Sequence, residues 1–318
     1  MSFPLIDAHC DTVRLFTFRK KDYDFKRRNN CGHLDLPRLK DAGFLLQIFA
    51  LYIEEEYKPV GSLKRALQLL DLLIANLARC RNETTVILSR PDLAALKDQQ
   101  KIGVLISIEG GEALEGEVAV LRMLFRLGIR ALGLTWNQEN HLAVGVGNGS
   151  GGRGLTALGR RVIRELNRLG MLVDLAHINE RGFDQALETS GKPVIVSHAN
   201  ARQLCDHPRN LSDRQLKALA DNKGVIGLSF CPAFVDQHQA TVERLLDHFV
   251  HVAEIAGVDS LALGSDFDGI ESVIPGLEDV SALPSLVEGL GNRGFSAQEI
   301  AKITSVNMLR VLAENLPA

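Results

Sequence analysis

Eight short apolar runs that alternate with longer amphipathic stretches are the feature that most constrains the fold of this chain. The runs are rich in Val, Ile, Leu and Phe, and the stretches between them repeat apolar residues at helical spacing. Eight strand–helix repeats are typical of a closed α/β barrel, the (β/α)8 or TIM-like fold. The predicted strands span residues 4–11, 44–51, 101–110, 129–137, 172–177, 193–200, 224–231 and 261–269.

Helical patterns fill the segments between these runs. Ser62 and Ser212 directly precede two of the predicted helices, in the position of N-cap residues. No Pro-, Gly- or Ser-rich linker separates two halves, so we expect residues 1–318 to form a single barrel domain with a C-terminal closing helix outside the barrel. The predicted helices span 63–81, 113–127, 155–169, 213–221, 242–256 and 297–314.

The composition argues against several classes of function. The formal net charge is −3, and the basic run Arg19, Lys20, Lys21 is too narrow for a nucleic-acid-binding face, so we interpret it as a solvated loop. No apolar run approaches the roughly 18 residues that span a bilayer. The 5 cysteines form no CxxC pair, which favours free thiols in a reducing compartment. We therefore predict a cytoplasmic protein without nucleic-acid or membrane partners.

Histidine and carboxylate side chains stand at the ends of most predicted strands. The active sites of these barrels are built at the carboxyl ends of the strands. His9 and Asp11 are two residues apart on one strand, so they point to the same face and can reach one metal ion. The strand-end residues are His9 and Asp11, Glu109, His177, His198, and Asp266 with Asp268.

A metal site explains this set better than separate structural roles do. A single strand-end His, or a Glu before Gly-Gly, more often makes a structural hydrogen bond or stabilises a turn. Several imidazoles and carboxylates at one barrel mouth, however, would repel one another or stay unsatisfied without a cation. Zinc suits such ligands, although manganese or iron would also fit. If Glu109 bridges two ions about 3.5 to 4 Å apart, a hydroxide between them is the nucleophile of a hydrolase.

A glycine-rich loop offers a different interpretation. Gly147, Gly149 and Gly152 form a GxGxxG pattern. A dinucleotide site needs the first glycine at a strand end, whereas roughly ten residues separate it from the fourth predicted strand. We therefore interpret this segment as a flexible lid over the barrel mouth.

Several long motifs, in order, resemble the membrane (renal) dipeptidase family of zinc peptidases nearly from end to end. Together they are far more specific than any one of them. They are IDAHCDT, GHLDLPRLKDAG, SIEGGEAL, DLAH, VSHANAR, HPRNLSD, GSDFDG and GLEDVSALP.

The resemblance implies a TIM-like barrel of the metallo-dependent hydrolase type that holds two Zn²⁺ per chain. It places His9 and Asp11 on one zinc, His177 and His198 on the second, and Glu109 between them. Asp266 matches the acid/base carboxylate of the family. Arg209 matches an arginine that binds the terminal carboxylate of the substrate, a task that suits the guanidinium fork, and Asn210 beside it is a weaker candidate.

One position departs from the family pattern. Many animal members place a histidine after the threonine that follows the fourth strand, where it supports the tetrahedral intermediate, and Trp136 stands there in this chain. His141 in the following loop is a candidate substitute. Asn137, Asn140 or the metal itself are the alternatives. The departure concerns rate and specificity more than the class of reaction.

The predicted function is zinc-dependent hydrolysis of dipeptides by a bridging hydroxide. The resemblance also implies tolerance of a D-residue at the second position, and a homodimer. A related binuclear amidohydrolase that acts on another amide, a lactone or a phosphoester is the alternative within enzymes. A non-catalytic protein that kept the fold would have lost ligands, and every ligand position is filled here.

Overall fold

Eight parallel strands close into a barrel, as the sequence predicts. The computed structural model describes residues 3–16, 23–96, 100–148 and 152–318. The barrel order is β1-β2-β4-β5-β6-β7-β8-β9, and β1 pairs with β9 to close it. The strands are Leu5–Cys10 (β1), Phe44–Tyr52 (β2), Thr84–Val86 (β3), Ile102–Glu109 (β4), Ile129–Gly133 (β5), Leu172–Asp174 (β6), Ile195–Ala199 (β7), Val225–Leu228 (β8) and Leu261–Leu263 (β9).

The strand β3 is an addition that the sequence analysis missed. It pairs in parallel with β4, outside the ring of eight. Its three residues, Thr-Thr-Val, are too short to show a periodic pattern. The eight predicted strands are all present, and several end before their predicted carboxyl limits because the last residues form loops at the barrel mouth.

The helices surround the barrel. Two of the predicted ones contained an error, and five were missed: Leu36–Asp41, Arg90–Ala95, Glu180–Thr189, Pro232–Val235 and Leu283–Asn292. Residues 113–127 do not form one helix, because the chain turns at Glu115 and Gly116, which both have positive φ, before α4 begins. Gly61, and not Ser62, is the N-cap of α2, whereas Ser212 caps α7 in a capping box with Gln215. The α-helices are Leu36–Asp41 (α1), Ser62–Arg79 (α2), Arg90–Ala95 (α3), Val118–Arg126 (α4), Ala157–Leu169 (α5), Glu180–Thr189 (α6), Asp213–Asp221 (α7), Pro232–Val235 (α8), Val242–Ala256 (α9), Leu283–Asn292 (α10), Ala297–Ala301 (α11) and Asn307–Asn315 (α12).

The C-terminal helix packs across the amino-terminal end of the barrel. A π-helical segment, Lys302–Val306, joins α11 to α12. Met308, Val311 and Leu312 belong to the same buried cluster as the strand residues Ile6 and Leu105. The helix therefore covers the amino-terminal end of the barrel and leaves the opposite end for the site.

Strand alternation decides which side chains reach that open end. On β4, Val104, Ile106 and Ile108 belong to the outer core beneath the helices, while Leu105 lies in the inner cluster. Glu109 has the same parity as Leu105, so its carboxylate faces the barrel axis.

Two features of the sequence lie outside the described residues: the basic run Arg19, Lys20, Lys21, and Gly149 of the glycine-rich loop. The five cysteines are free thiols. Within the described ranges, none of the helices has the length and apolar character to cross a bilayer.

Candidate metal centre

The strand-end residues meet at the carboxyl end of the barrel. His9 lies in β1 and Asp11 follows that strand, Glu109 ends β4, and His198 lies in β7. His177 follows β6 and Asp266 follows β9, each by three residues. All six side chains are buried, with exposed fractions of 9% or less.

The carboxylate of Glu109 connects two groups of potential ligand atoms. Its Oε2 lies 3.8 Å from His9 Nε2, which in turn is 3.3 Å from Asp11 Oδ2. Its Oε1 lies 2.8 Å from His177 Nε2 and 3.7 Å from His198 Nε2. Within each group the ligand atoms are no more than 4.8 Å apart, as are those of a third group, His9, His198 and Asp266. One carboxylate shared by two such groups suits metal binding at this centre.

The hydrogen bonds of His177 show that a cation fits there. Its Nδ1 lies 2.8 Å from Asn137 Oδ1, an oxygen that can only accept, so the proton is on Nδ1. The lone pair of Nε2 then faces Glu109 Oε1 at 2.8 Å and His198 Nε2 at 2.9 Å. Acceptor atoms this close repel each other unless they share a cation. Ser197 Oγ similarly engages Nδ1 of His198 and leaves its Nε2 for the centre.

The surroundings of Asp11 and His9 also suit a bound cation. The buried Oδ1 of Asp11 has no hydrogen-bond partner. Burial alone would lower the pKa of His9, but the carboxylates of Glu109 and Asp11 raise it to about 10. Burial, followed by the negative charge of Asp11, raises the pKa of Glu109 above its usual range. Without a metal, the carboxylates of Asp11 and Glu109 can reduce their mutual repulsion only by taking up protons.

Asp266 has the properties of a proton carrier. Burial raises its pKa to about 7, with the Asp11 carboxylate adding to the effect and His9 opposing it. Such a group exchanges protons near neutral pH.

Backbone strain is concentrated around the same centre. Asp266, Asp268 and His177 have φ angles of 65°, 65° and 67°, which non-glycine residues seldom adopt. Asp268 holds its loop in place, because its carboxylate accepts from the Thr12 hydroxyl at 2.5 Å and from the His33 backbone N–H at 2.7 Å. The strained turn after β9 is thus tied to the loop after β1, where Asp11 lies.

A cavity of about 430 Å³ opens over the ligand group. Arg209 lines it and is buried, and its Nη2 donates to the carbonyl of His198 at 3.1 Å while its Nε has no partner. Burial lowers the pKa of Arg209, and the charges of Asp266 and Glu109 counter that effect. This guanidinium offers an unused donor to an anionic group in the cavity.

The structure separates the other predicted substrate-binding residues. Trp136 lines the metal cavity, as does Asn137, which orients His177. His141 and Asn140 do not line it, because their loop turns toward a neighbouring cavity. The structure therefore does not support His141 as the substitute for the missing histidine.

Asn210 also lies away from the metal cavity. Its amide donates to the carbonyls of Cys205 and Phe234, and its Oδ1 accepts from the Asn200 N–H. All of these bonds go to the backbone, so Asn210 stabilises the loop that carries Arg209 and has no direct path to a substrate. The expected binding role of Asn210 is not what the structure shows.

Sequence analysis missed other residues of the site. Tyr52 lines the cavity at the end of β2, one residue beyond the predicted strand, where the strand-end rule would have found it. Asp7 is fully buried beneath the site and accepts from Gln47 and from both the N–H and the hydroxyl of Ser265. It joins β1, β2 and the segment after β9 below the ligands. Asp7 lies inside the first predicted strand, two residues before His9, so the alternation of side chains would have placed it on the same face.

The sequence matches the family described as membrane dipeptidase, peptidase family M19, over residues 1–316. This chain belongs to that family. Its buried His and Glu cluster is the metal-binding centre of a family M19 metallo-dipeptidase.

Relatives and solved structures agree with this assignment. Dipeptidase tcpJ of Claviceps purpurea (strain 20.1) is 34% identical over 97% of this chain and 76% of its own length. Dipeptidase 3 of Mus musculus is 33% identical over 98% of this chain, which spans 64% of that protein.

Two solved structures share the fold over nearly the whole chain. Dipeptidase AC, a family M19 metallopeptidase, is 29% identical with a TM-score of 0.94, and each chain covers 100% of the other. A metallopeptidase from Rhodobacter sphaeroides, liganded with a phosphinate mimic of the dipeptide L-Ala-D-Ala, is 27% identical with a TM-score of 0.93, and covers 99% of this chain and 100% of its own.

Proposed function

We propose that this protein hydrolyses dipeptides, including those with a D-residue at the second position, with two zinc ions held on either side of Glu109. The observation that carries the proposal is the division of the Glu109 carboxylate, one oxygen toward His9 and the other toward His177 and His198. His9 and Asp11 would hold one ion, and the other two histidines the second. When bound, the metals polarise a carbonyl and make water a nucleophile at neutral pH.

Other groups of the chain bind the substrate and move its proton. Arg209 receives the C-terminal carboxylate through its free Nε–H. The Asp266 carboxylate takes up a proton from the attacking water and releases it to the departing amine. Asn137 keeps the ring of His177 in place.

The position of Arg209 favours a dipeptide over an uncharged amide or lactone. A buried guanidinium inside the metal cavity is costly unless an anion pairs with it, and a dipeptide places its carboxylate a short distance from the bond to be cleaved. The L-Ala-D-Ala mimic bound to the Rhodobacter sphaeroides enzyme supports the same substrate class. A cytoplasmic location and a homodimer stay predictions from the sequence.

The experiment is a hydrolysis assay of the zinc-loaded protein with L,L- and L,D-dipeptides, alongside their C-terminal amides. We expect cleavage of the free dipeptides that a chelator abolishes and zinc restores, with kcat/KM at least about tenfold lower for the amides because a charged contact is lost. Equal cleavage of the amides, or cleavage that survives complete metal removal, would contradict the proposal.

A further inference from the structure

A second cavity, of about 500 Å³, lies beside the metal cavity at the same end of the barrel. We name it the side cavity. The carboxyl ends of β2, β4 and β5, together with the loops that follow them, supply residues to both cavities. Tyr52, Glu109 and Asn137 line the metal cavity. Lys58, Glu112 and Gln138, which follow them in the chain, line the side cavity.

Glu112 is a buried carboxylate without a hydrogen bond. Its residue is 7% exposed, and neither Oε1 nor Oε2 has a partner. The nearest cation, Lys58 Nζ, lies 3.9 Å from Oε1, beyond hydrogen-bond distance. A Cβ at Gly110 would come within 2.2 Å of Oε2, so the carboxylate rests on the backbone directly after Glu109. A buried carboxylate in this state needs a donor.

Unpartnered polar atoms are concentrated in this cavity. Among the described residues, ten buried side-chain atoms lack a partner, and four of them belong to Lys58, Glu112 and Gln138. Three of the four are acceptor oxygens, and the fourth is the Lys58 ammonium, which lies over the Trp136 ring at 4.9 Å. The side cavity therefore has more acceptors to satisfy than donors.

The charges of the side chains that line the side cavity also favour a cationic ligand. Three carboxylates, those of Glu55, Glu112 and Glu139, face a single ammonium, that of Lys58. Glu139 is paired with Arg153, and Glu55 accepts from Gln138, whereas Glu112 accepts no hydrogen bond and has only the distant Lys58 ammonium, at 3.9 Å, as an ionic partner. The lining is negative, so a cation with several N–H donors complements it.

The barrel order relates the side cavity to the substrate. Arg209 stands on the loop after β7, and in the ring of eight strands β2 lies directly opposite β7. A dipeptide whose carboxylate is held by Arg209, with its peptide bond at the metals, directs its N-terminal residue toward the loops after β2, β4 and β5. Those are the loops that form the side cavity.

We propose that the side cavity receives the side chain of the N-terminal residue, and that this side chain is basic, lysine or arginine. Glu112 and the Oε1 of Gln138 accept its N–H groups, while Lys58 limits the preference by competing for Glu112. The proposal rests on the dipeptidase function proposed above and adds the substrate class to it.

The experiment compares kcat/KM for L-lysyl-alanine with that for L-norleucyl-alanine, which has the same chain without the charge. L-glutamyl-alanine gives the opposite charge. We expect the lysyl substrate to exceed the norleucyl one by about tenfold or more, as a charge-assisted hydrogen bond provides. Glu112→Gln should bring the ratio near one, and Lys58→Met should raise it. Glu115→Gln, three residues along and outside the side cavity, is the control and should leave the ratio unchanged.

The ratio of kcat/KM for the lysyl substrate to that for the norleucyl substrate separates specificity from folding, because a structural defect lowers both values together. A ratio near one in the unaltered protein, a ratio that Glu112→Gln does not change, or a preference for glutamyl-alanine overturns the proposal. In each of these cases dipeptides are still cleaved, so the proposed function stands. Cleavage of none of the three substrates by the zinc-loaded protein would refute both.

Discussion

Gly269 offers a test of the metal site by steric change alone. A Cβ added there would lie 2.1 Å from Asp11 Oδ2 and 2.6 Å from Asp266 Oδ1. Real Cβ atoms essentially never come within 3.0 Å of such neighbours, so Gly269→Ala must push the Asp11 oxygen away by about 0.9 Å or more. Gly269 is not among the glycines with positive φ, so alanine causes no backbone strain there.

The displaced oxygen is the one nearest His9, at 3.3 Å. Changes that merely misorient a ligand lower metal affinity by about 10- to 100-fold, and we expect at least this loss at the site of His9 and Asp11. The site of His177 and His198 should keep its ion, because the three atoms nearest the new methyl group all belong to Asp11 and Asp266.

The assay is zinc content after dialysis against a graded chelator series, with circular dichroism to verify folding. We expect about one zinc to be lost at chelator concentrations that the unaltered protein resists. Gly291→Ala is the matched control, since its nearest contact would be at 3.8 Å and it lies in α10. If a folded Gly269→Ala protein holds both zincs as firmly as the unaltered one, Asp11 is not a ligand and the reasoning is refuted.

Three further outcomes follow from the site. Asp266→Asn should keep the zinc content and lower kcat by about 10²- to 10⁴-fold, as loss of a general acid/base does, and kcat within a few-fold of normal would exclude that role. Arg209→Met should raise KM for dipeptides more than it lowers kcat, and should remove the preference over dipeptide amides; an unchanged preference would place the carboxylate elsewhere. Zinc binding should release protons, because His9, with its pKa raised to about 10, is protonated at neutral pH and must become neutral to bind metal. The apparent zinc affinity should therefore fall as the pH falls, roughly tenfold per unit for each released proton, and calorimetry in buffers of different ionisation enthalpy that detects no proton release would contradict this.

The barrel was predictable because its strands are buried on both sides and so appear as uninterrupted apolar runs. The strand-end rule then located His9, Glu109 and His198, because a residue at the end of a parallel strand has little freedom in where it points. Local periodicity does not show breaks such as the one at Glu115 and Gly116, where two positive φ angles end a helical pattern that the apolar residues alone would continue.

Loop residues were harder to place. His141 and Asn210 have the right chemistry and lie near site residues in the sequence, but their loops turn them away from the metal cavity. Conversely, Glu112 and Lys58 are 54 positions apart in the chain and meet only through the packing of two loops. Those long-range contacts decide whether a polar side chain forms hydrogen bonds with the backbone or stays available to bind a ligand.

The central claim is that Glu109 lies between two metal ions. Diffraction from crystals of the zinc-loaded protein, recorded on both sides of the zinc absorption edge, tests it most directly. The account predicts two anomalous peaks about 3.5 to 4 Å apart, one beside His9 and Asp11 and the other beside His177 and His198, with one Glu109 oxygen toward each. A single peak, or peaks away from Glu109, would contradict it.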